Sequence, residues 1–248
     1  MSKKTKAEER AAKAAAALAE RKRKERRRNT ITIVSVVAAI ALIVGIGFVI
    51  NKARDDDPSG AADERSTEYE VALGDPDAPH SIVIYEDFLC PICREFEAAS
   101  RDKLAEAAEA GDVYVSYRPF NLFSDDADPR KAYSVAAAAA FAVVQEESGD
   151  EVAKEFHDLL YENQPPENPP PSPETDWFVD LAVRAGATED DVREGIESGA
   201  GEDWVEAATD EADEAGVNST PTILLDGEEY QQGRTFQELA DNLVAAVQ

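Results

Sequence analysis

Two cysteines, Cys90 and Cys93, are the residues whose type and spacing point most directly to chemistry. They are the only cysteines among 248 residues, and Pro91 and Ile92 separate them. A thiolate is both a nucleophile and a leaving group, so two cysteines one helical turn apart can form a reversible disulfide. Because no second pair exists, the pattern predicts a reactive dithiol and not a disulfide-stabilised scaffold.

The residues on either side of the dithiol predict a strand that leads into a helix. Residues 81–86 are rich in side chains that favour β-strands, whereas residues 94–110 are rich in Ala, Glu and Leu, which favour helices. Cys90 would then lie at a helix N-terminus, where unpaired N–H groups and the helix dipole favour a thiolate. Pro91 suits the first helical position because its missing N–H would have no intrahelical partner there. In this arrangement Cys90 attacks a disulfide and Cys93 resolves the mixed disulfide.

Half of a metal site is the alternative interpretation of Cys-x-x-Cys, and it needs two further ligands. The sequence has two histidines, His80 and His157, which are 77 residues apart and belong to no local ligand motif. We therefore predict no metal and no cofactor. His80 is expected at the start of a strand, and His157 is expected as an ordinary residue of a helix.

The charge of the chain differs sharply between its first 50 residues and the rest. Residues 1–50 hold 12 Lys or Arg and 4 Asp or Glu, a net charge of +8. Residues 51–248 hold 13 Lys or Arg and 48 Asp or Glu, a net charge of −35. A domain this acidic repels phosphate groups, which argues against nucleic-acid binding. The acidity is typical of a solvated surface, with attraction of a basic client as the alternative.

Residues 30–50 predict a single transmembrane helix. They contain no charged side chain, and at about 1.5 Å per residue they would span roughly 31 Å, close to a hydrocarbon core of about 30 Å. The basic segment 1–29 predicts a cytoplasmic N-terminus and an extracytoplasmic C-terminal domain at the cell membrane. A cleaved signal peptide is the alternative, but the apolar run is longer than usual and no small-x-small site follows it.

A flexible acidic linker (51–67) and one globular domain (68–248) are expected after the membrane span. The predicted order is β–β–α–β, a helical insertion at about 125–216, and β–β–α, with a parallel, right-handed β–α–β unit around the dithiol helix. The Pro-rich segment 164–173 within the insertion predicts an extended surface loop that acts as a spacer. Strands are expected at 69–73, 81–87, 112–117, 221–227 and 228–231, and helices at 91–110, 128–145, 151–161, 176–185, 188–198, 202–215 and 236–247.

These features together resemble the DsbA-like branch of the thioredoxin superfamily, in its membrane-tethered bacterial form. The matching motifs are Glu86-Asp-Phe-x-Cys-Pro-x-Cys93 and Gly216-Val-x-x-Thr-Pro-Thr222, and the resemblance extends from about residue 68 to the C-terminus. It implies an α/β, thioredoxin-like fold with an inserted helical domain, preceded by one transmembrane helix. It also implies that the Thr220–Pro221 bond is cis, that Cys90 is the attacking sulfur, and that backbone around Thr220 binds an extended substrate peptide.

Two positions depart from the pattern of this family. Ile92 stands where family oxidases often have a histidine that stabilises the thiolate, and Ile84 stands where many members have a buried acid. Glu86, on the same strand face as Ile84, is a candidate to accept the Cys93 proton, with a solvated charge at the rim as the alternative. These departures leave the direction of electron flow open.

The leading hypothesis is a membrane-tethered, extracytoplasmic thiol–disulfide oxidoreductase that oxidises cysteines of exported proteins through Cys90 and Cys93. A reductase or isomerase of the same fold is the first alternative, and a non-catalytic peptide-binding or chaperone module is the second. The expected partners are thiols or disulfides of exported proteins and a membrane redox partner, either a quinone-linked oxidase or an electron conduit. The protein is expected to be a monomer.

Overall fold

The computed structural model describes residues 66–123 and 125–248. Within them, the elements follow the order β–β–α–β, five helices, and β–β–α. The strands are β1 (Val71–Leu73), β2 (His80–Glu86), β3 (Val113–Pro119), β4 (Thr222–Leu225) and β5 (Glu228–Glu229). The helices are α1 (Pro91–Glu109), α2 (Lys131–Ser148), α3 (Asp150–Glu162), α4 (Thr175–Ala185), α5 (Glu189–Ser198), α6 (Glu202–Glu214) and α7 (Phe236–Val247).

The five strands form one mixed sheet in the order β1-β3-β2-β4-β5. At its centre β2 is parallel to β3, and α1 makes the connection between them. The hairpin of β4 and β5 extends the sheet on one side of β2, and β1 pairs antiparallel with β3 at the other edge. The predicted edge strand, central strand and parallel β–α–β unit are confirmed.

Both faces of β2 are buried, which explains why its residues are apolar at successive positions. Ile82 and Ile84 belong to the larger core, whereas Val83 and Tyr85 belong to a smaller cluster that includes Ala212 of α6. Successive side chains of a strand point to opposite faces, so a strand covered on both sides needs an apolar residue at each position. The end of this strand, from which the chain enters the dithiol turn, is therefore firmly placed.

The insertion between β3 and β4 consists of α2 to α6, which confirms the predicted helical block. Its first helix, α2, packs against α3, α5 and α6. Residues 137–140 of α2 are all buried alanines, and a Cβ atom on Gly201 would lie 2.2 Å from the carbonyl oxygen of Ala139. Small side chains therefore allow neighbouring segments to approach α2 closely. The next helix, α3, also contacts α1 and β1, so the insertion lies beside the dithiol helix.

All strands and helices expected within residues 68–248 are present, and their ends differ from expectation by three residues at most. His80 begins β2, as predicted. No helix in residues 66–123 or 125–248 is long and apolar enough to cross a membrane. The predicted membrane helix at 30–50, the segment 1–29 before it and nearly all of the linker lie outside the residues that the structure describes.

Candidate active site

Cys90 immediately precedes the first turn of α1, with Pro91 in that turn. The residue is 7% exposed. A hydrogen bond from the Cys93 thiol lowers the pKa of Cys90 to about 6, and Thr220 and the backbone N–H groups of Cys93 and Ile92 act in the same direction, against the effect of burial. Cys90 is therefore mainly a thiolate at pH 7 in the reduced protein.

Cys93 differs from Cys90 in its surroundings. It lies within the first turn of α1 and is 1% exposed. Burial raises the pKa of Cys93 well above its ordinary value, and the nearby Cys90 and Glu86 raise it further. The backbone N–H of Asp87 acts in the opposite direction. A stabilised thiolate on Cys90 and a more deeply buried thiol on Cys93 are what the predicted attacking and resolving roles require.

Thr220 and Pro221 lie beside Cys90, although they follow it by 130 residues. The Cys90 sulfur is 3.6 Å from the Thr220 carbonyl oxygen, and the Thr220–Pro221 bond is cis, as the resemblance implies. A groove of about 360 Å³ opens here, bounded by Ile92, Thr220 and Pro221 and by residues of the β4–β5 hairpin and the start of α7. Ile92 is 44% exposed, one of two large apolar side chains exposed to this degree among the described residues. The site can therefore present an apolar contact next to the reactive sulfur.

Glu86 and His157 form a buried ion pair behind the dithiol. Oε1 of Glu86 is 2.5 Å from Nε2 of His157, and both side chains are almost completely inaccessible. The interpretation of Glu86 as a solvated rim charge is therefore wrong, and so is that of His157 as an ordinary helix residue. His157 is buried because it shares the inner face of α3 with Phe156 and Leu160. Burial disfavours its charged form, but the carboxylates of Glu86 and Asp158 raise the pKa of His157 to about 9.

A network of buried charges surrounds this pair. Nε of Arg101 is 3.0 Å and Nζ of Lys154 is 3.8 Å from Oε1 of Glu97. Glu86, Glu97 and His157 offer ligand atoms within 4.8 Å of one another, as a metal site would need. Each carboxylate of the network nevertheless already has a cationic partner: Glu86 pairs with the His157 imidazolium, Glu97 with Arg101 and Asp158 with Lys154. We interpret it as an ion network, and the absence of a metal remains a prediction.

Asp87 organises the turn between β2 and α1. Its fully buried side chain accepts hydrogen bonds from the N–H of Leu89 at 2.7 Å, from the N–H of Leu122 at 3.0 Å and from the hydroxyl of Ser134. Its carbonyl oxygen accepts from the N–H of Cys90 at 3.0 Å. Burial raises the pKa of Asp87, and these side-chain hydrogen bonds oppose the rise. Since Ser134 belongs to α2, the insertion holds this turn directly.

Gln164 binds the same turn from the start of the Pro-rich segment. Its Nε2 is 3.0 Å from the carbonyl oxygen of Phe88 and 2.9 Å from that of Cys90. The side chain is buried. The prediction of a surface spacer is therefore wrong for this residue, because its amide is buried against the main chain beside the first cysteine.

The sequence motifs led to the two cysteines, the proline between them, Ile92, Thr220 and Pro221, and the structure brings all of these together. Asp87, Ser134, His157 and Gln164 were missed. A signal existed for His157, which has helical spacing with apolar residues of α3, and for Asp87, an acid directly after the buried strand β2. Neither Ser134 nor Gln164 carries a comparable local signal.

A parallel β–α–β unit with a dithiol at the start of its helix and a cis-proline beside it defines a thioredoxin fold, here with a helical insertion. Thiol–disulfide oxidoreductases present a reactive cysteine in this way. The family model described as Thioredoxin matches residues 66–244, and the chain belongs to this family.

Individual relatives agree with the DsbA-like resemblance. A Bacillus cereus protein described as a probable disulfide bond formation protein D is 26% identical over 129 residues, or 52% of this chain and 56% of the relative. The chain thus spans about half the length of the curated relatives it matches. The reduced disulfide bond oxidoreductase DsbG of Mycobacterium tuberculosis is 26% identical, with a TM-score of 0.60 over 75% of this chain and 98% of that one. Oxidised BdbD of Bacillus subtilis, 24% identical, has the same fold, with a TM-score of 0.59 over 74% and 93% of the two chains.

Proposed function

We propose that this protein is a membrane-anchored thiol–disulfide oxidoreductase that oxidises cysteines of exported proteins. The observation that carries the proposal is the contrast between the two thiols. The pKa of Cys90 is lowered to about 6, whereas that of Cys93 is raised well above its ordinary value. A stabilised thiolate favours the reduced dithiol, so the disulfide form readily transfers its oxidising equivalents to a client.

The chemistry uses the two sulfurs in sequence. A client thiolate attacks Cys90 in the Cys90–Cys93 disulfide, the S–S bond breaks, and Cys93 leaves with the electron pair and takes up a proton. A second client thiolate then attacks the client sulfur of the mixed disulfide and releases Cys90 as a thiolate. The client loses two electrons and the enzyme dithiol gains them.

The groove beside Cys90 is the proposed place of the client. An extended segment can pair with main-chain groups at Thr220, as the family resemblance implies, while an apolar side chain contacts Ile92 and Pro221. Because this contact is mainly with main chain and apolar surface, it is compatible with clients of many sequences.

The proposal places the domain outside the cytoplasm, as a monomer attached through residues 30–50. The basic segment before this run and the acidic one after it support this orientation. Oxidation of clients leaves the dithiol reduced, so a membrane partner must accept two electrons. A quinone-linked oxidase would serve this direction, and an electron conduit would serve the reductase.

The direction of transfer is tested by equilibrating the full chain in detergent with glutathione buffers and quantifying the Cys90–Cys93 disulfide. We expect a reduction potential nearer to the roughly −120 mV of a strong oxidant than to the roughly −270 mV of thioredoxin. A value near −270 mV would favour the reductase instead. Cys90→Ser should abolish oxidation of a reduced model protein, and full activity in this variant would favour a binding module.

The anchor is tested by fractionating cells that express the full chain and treating intact cells with protease. We expect the protein in the membrane fraction, with the domain digested from outside. A soluble mature form that lacks its first 50 residues would show that the apolar run is a cleaved signal peptide.

A further inference from the structure

Gln164 is buried where the insertion meets the first cysteine. Its side-chain N–H₂ group makes two hydrogen bonds, at 3.0 Å to the Phe88 carbonyl and 2.9 Å to the Cys90 carbonyl. Its main-chain N–H donates to the carbonyl of Tyr161 at 3.2 Å, which ties the residue to the last turn of α3. Both donor positions of the amide are thus used, in a residue that is 8% exposed.

Gln164 and Asp87 bind complementary groups of one turn. The carboxylate of Asp87 accepts a hydrogen bond from the N–H of Leu89, and its main-chain carbonyl accepts one from the N–H of Cys90. The side-chain amide of Gln164 donates to the carbonyls of Phe88 and Cys90. Two buried side chains therefore hold the turn: that of Asp87 binds one of its N–H groups, and that of Gln164 binds two of its carbonyls. This leaves little freedom for the backbone that carries the Cys90 sulfur toward Thr220.

We propose that Gln164 is a positioning residue for the dithiol: by binding the Phe88 and Cys90 carbonyls it fixes the turn and sets the redox equilibrium of the Cys90–Cys93 pair. Carbonyl oxygens are the negative ends of peptide dipoles, and the Cys90 carbonyl, which also accepts from the N–H of Arg94 at 3.3 Å, gains a second donor from Gln164. The positive end of the Gln164 amide offsets that charge beside the sulfur that must exist as a thiolate. The inference rests on the proposed function only in taking Cys90 as the attacking sulfur.

Three single variants of the full chain test the inference. Gln164→Met keeps the side-chain length and removes the donors, and Gln164→Glu places a charged acceptor against the two carbonyls. Asn163→Leu is the matched control, because the neighbouring Asn163 donates its side-chain hydrogen bond to the Leu159 carbonyl at 2.8 Å, at the end of α3, and not to the dithiol turn. The readouts are the titration of Cys90 by thiolate absorbance and the glutathione equilibrium of the dithiol.

We expect Gln164→Met to raise the pKa of Cys90 by about one unit, a tenfold lower ratio of thiolate to thiol. At about pH 8, where Cys90 of both proteins is mainly a thiolate, the glutathione equilibrium should shift about tenfold toward the disulfide, which corresponds to roughly 30 mV. Gln164→Glu should shift the thiolate-to-thiol ratio of Cys90 and the glutathione equilibrium further in the same direction. Asn163→Leu should leave both quantities within twofold of the wild type. The inference is wrong if both Gln164 variants also stay within twofold.

The wild-type protein provides a second test that does not depend on a variant's folding. Both side-chain amide protons of Gln164 should exchange slowly with solvent, and their NMR shifts should follow the titration of Cys90. Exchange as fast as that of the exposed Gln237 would contradict the inference. Since no client is needed for these measurements, a wild-type protein that fails to oxidise clients would contradict the proposed function and leave this inference standing.

Discussion

The buried pair of Glu86 and His157 affects the chemistry of the dithiol through charge. An unpaired buried charge is expensive, and the Glu86 carboxylate helps to raise the pKa of His157. The negative charge of Glu86 helps to raise the pKa of Cys93, which keeps a single thiolate on Cys90 in the reduced protein. The pair thus lies on the side of the site opposite to solvent, next to the leaving sulfur.

This pair predicts a dependence of stability on pH. The pKa of His157 is about 9 in the folded protein, above its ordinary value of 6.5. Its contribution to stability is therefore fully present below about pH 6.5 and lost as pH rises through about 9. Cys90, with its lowered pKa, acts oppositely: its contribution is present above about pH 9 and lost as pH falls toward 6. We expect the melting temperature of the oxidised protein, in which Cys90 does not titrate, to fall from pH 6.5 to 9, and that of the reduced protein to change less.

The two histidines provide a matched pair of variants for this measurement. His157→Gln should be destabilised at pH 6.5, by about 3–5 kcal/mol if Glu86 stays charged and unpaired, and its oxidised form should lose the pH slope. His80→Gln should keep the slope, because His80 is partly exposed and pairs with Asp226 at the surface. An unchanged slope in His157→Gln would assign the effect to another group.

The helical insertion holds the dithiol turn through three different elements. His157 of α3 binds Glu86, Ser134 of α2 binds Asp87, and Gln164 after α3 binds the carbonyls beyond them. Residues 86–90 are therefore restrained by side chains that join the sheet only when the insertion packs. On this view the insertion is a structural part of the site and not a cover added to it.

The contact between α2 and the turn predicts different effects for two buried serines. Ser134→Ala removes a donor from the buried carboxylate of Asp87, and we expect a loss of about 1–3 kcal/mol in unfolding free energy. Ser100→Ala should cost less, because Ser100 donates to the carbonyl of Phe96 within α1, an acceptor of the helical ladder. Urea denaturation of both variants measures the difference. Equal losses would show that the Asp87 contact contributes nothing beyond an ordinary buried hydroxyl.

A feature of this protein could be predicted from the sequence when the residues that form it are close together in the chain. Cys90, Cys93 and Thr220-Pro221 belong to short motifs, so their positions could be predicted together with the order of elements. The roles of His157 and Gln164 depend on which helix packs behind the turn, which no local pattern encodes. The start of α2, three residues later than expected, has a local cause. Asp128 accepts hydrogen bonds from the N–H and the guanidinium of Arg130, and these hold a turn where a helix was expected.

The whole domain carries far more negative than positive charge. Residues 66–248 contain ten Lys or Arg, and seven of them form ion pairs: Arg101, Lys103, Arg118, Arg130, Lys131, Lys154 and Arg193. The carboxylates outnumber the cations several-fold within residues 66–248, so most of them cannot pair with a cation from this part of the chain. Such an excess favours solubility but destabilises the compact state through self-repulsion.

Salt should therefore stabilise the protein. The Debye length falls from about 30 Å at 0.01 M to about 10 Å at 0.1 M, so repulsion between exposed carboxylates is largely screened over this range. We expect the melting temperature at pH 7 to rise between these concentrations of NaCl, and to rise less near pH 4.3, the isoelectric point of the sequence. A melting temperature that falls with salt would mean that the surface ion pairs outweigh the repulsion. The pH slope assigned to His157 should persist in salt, because a buried pair is screened much less than exposed charges.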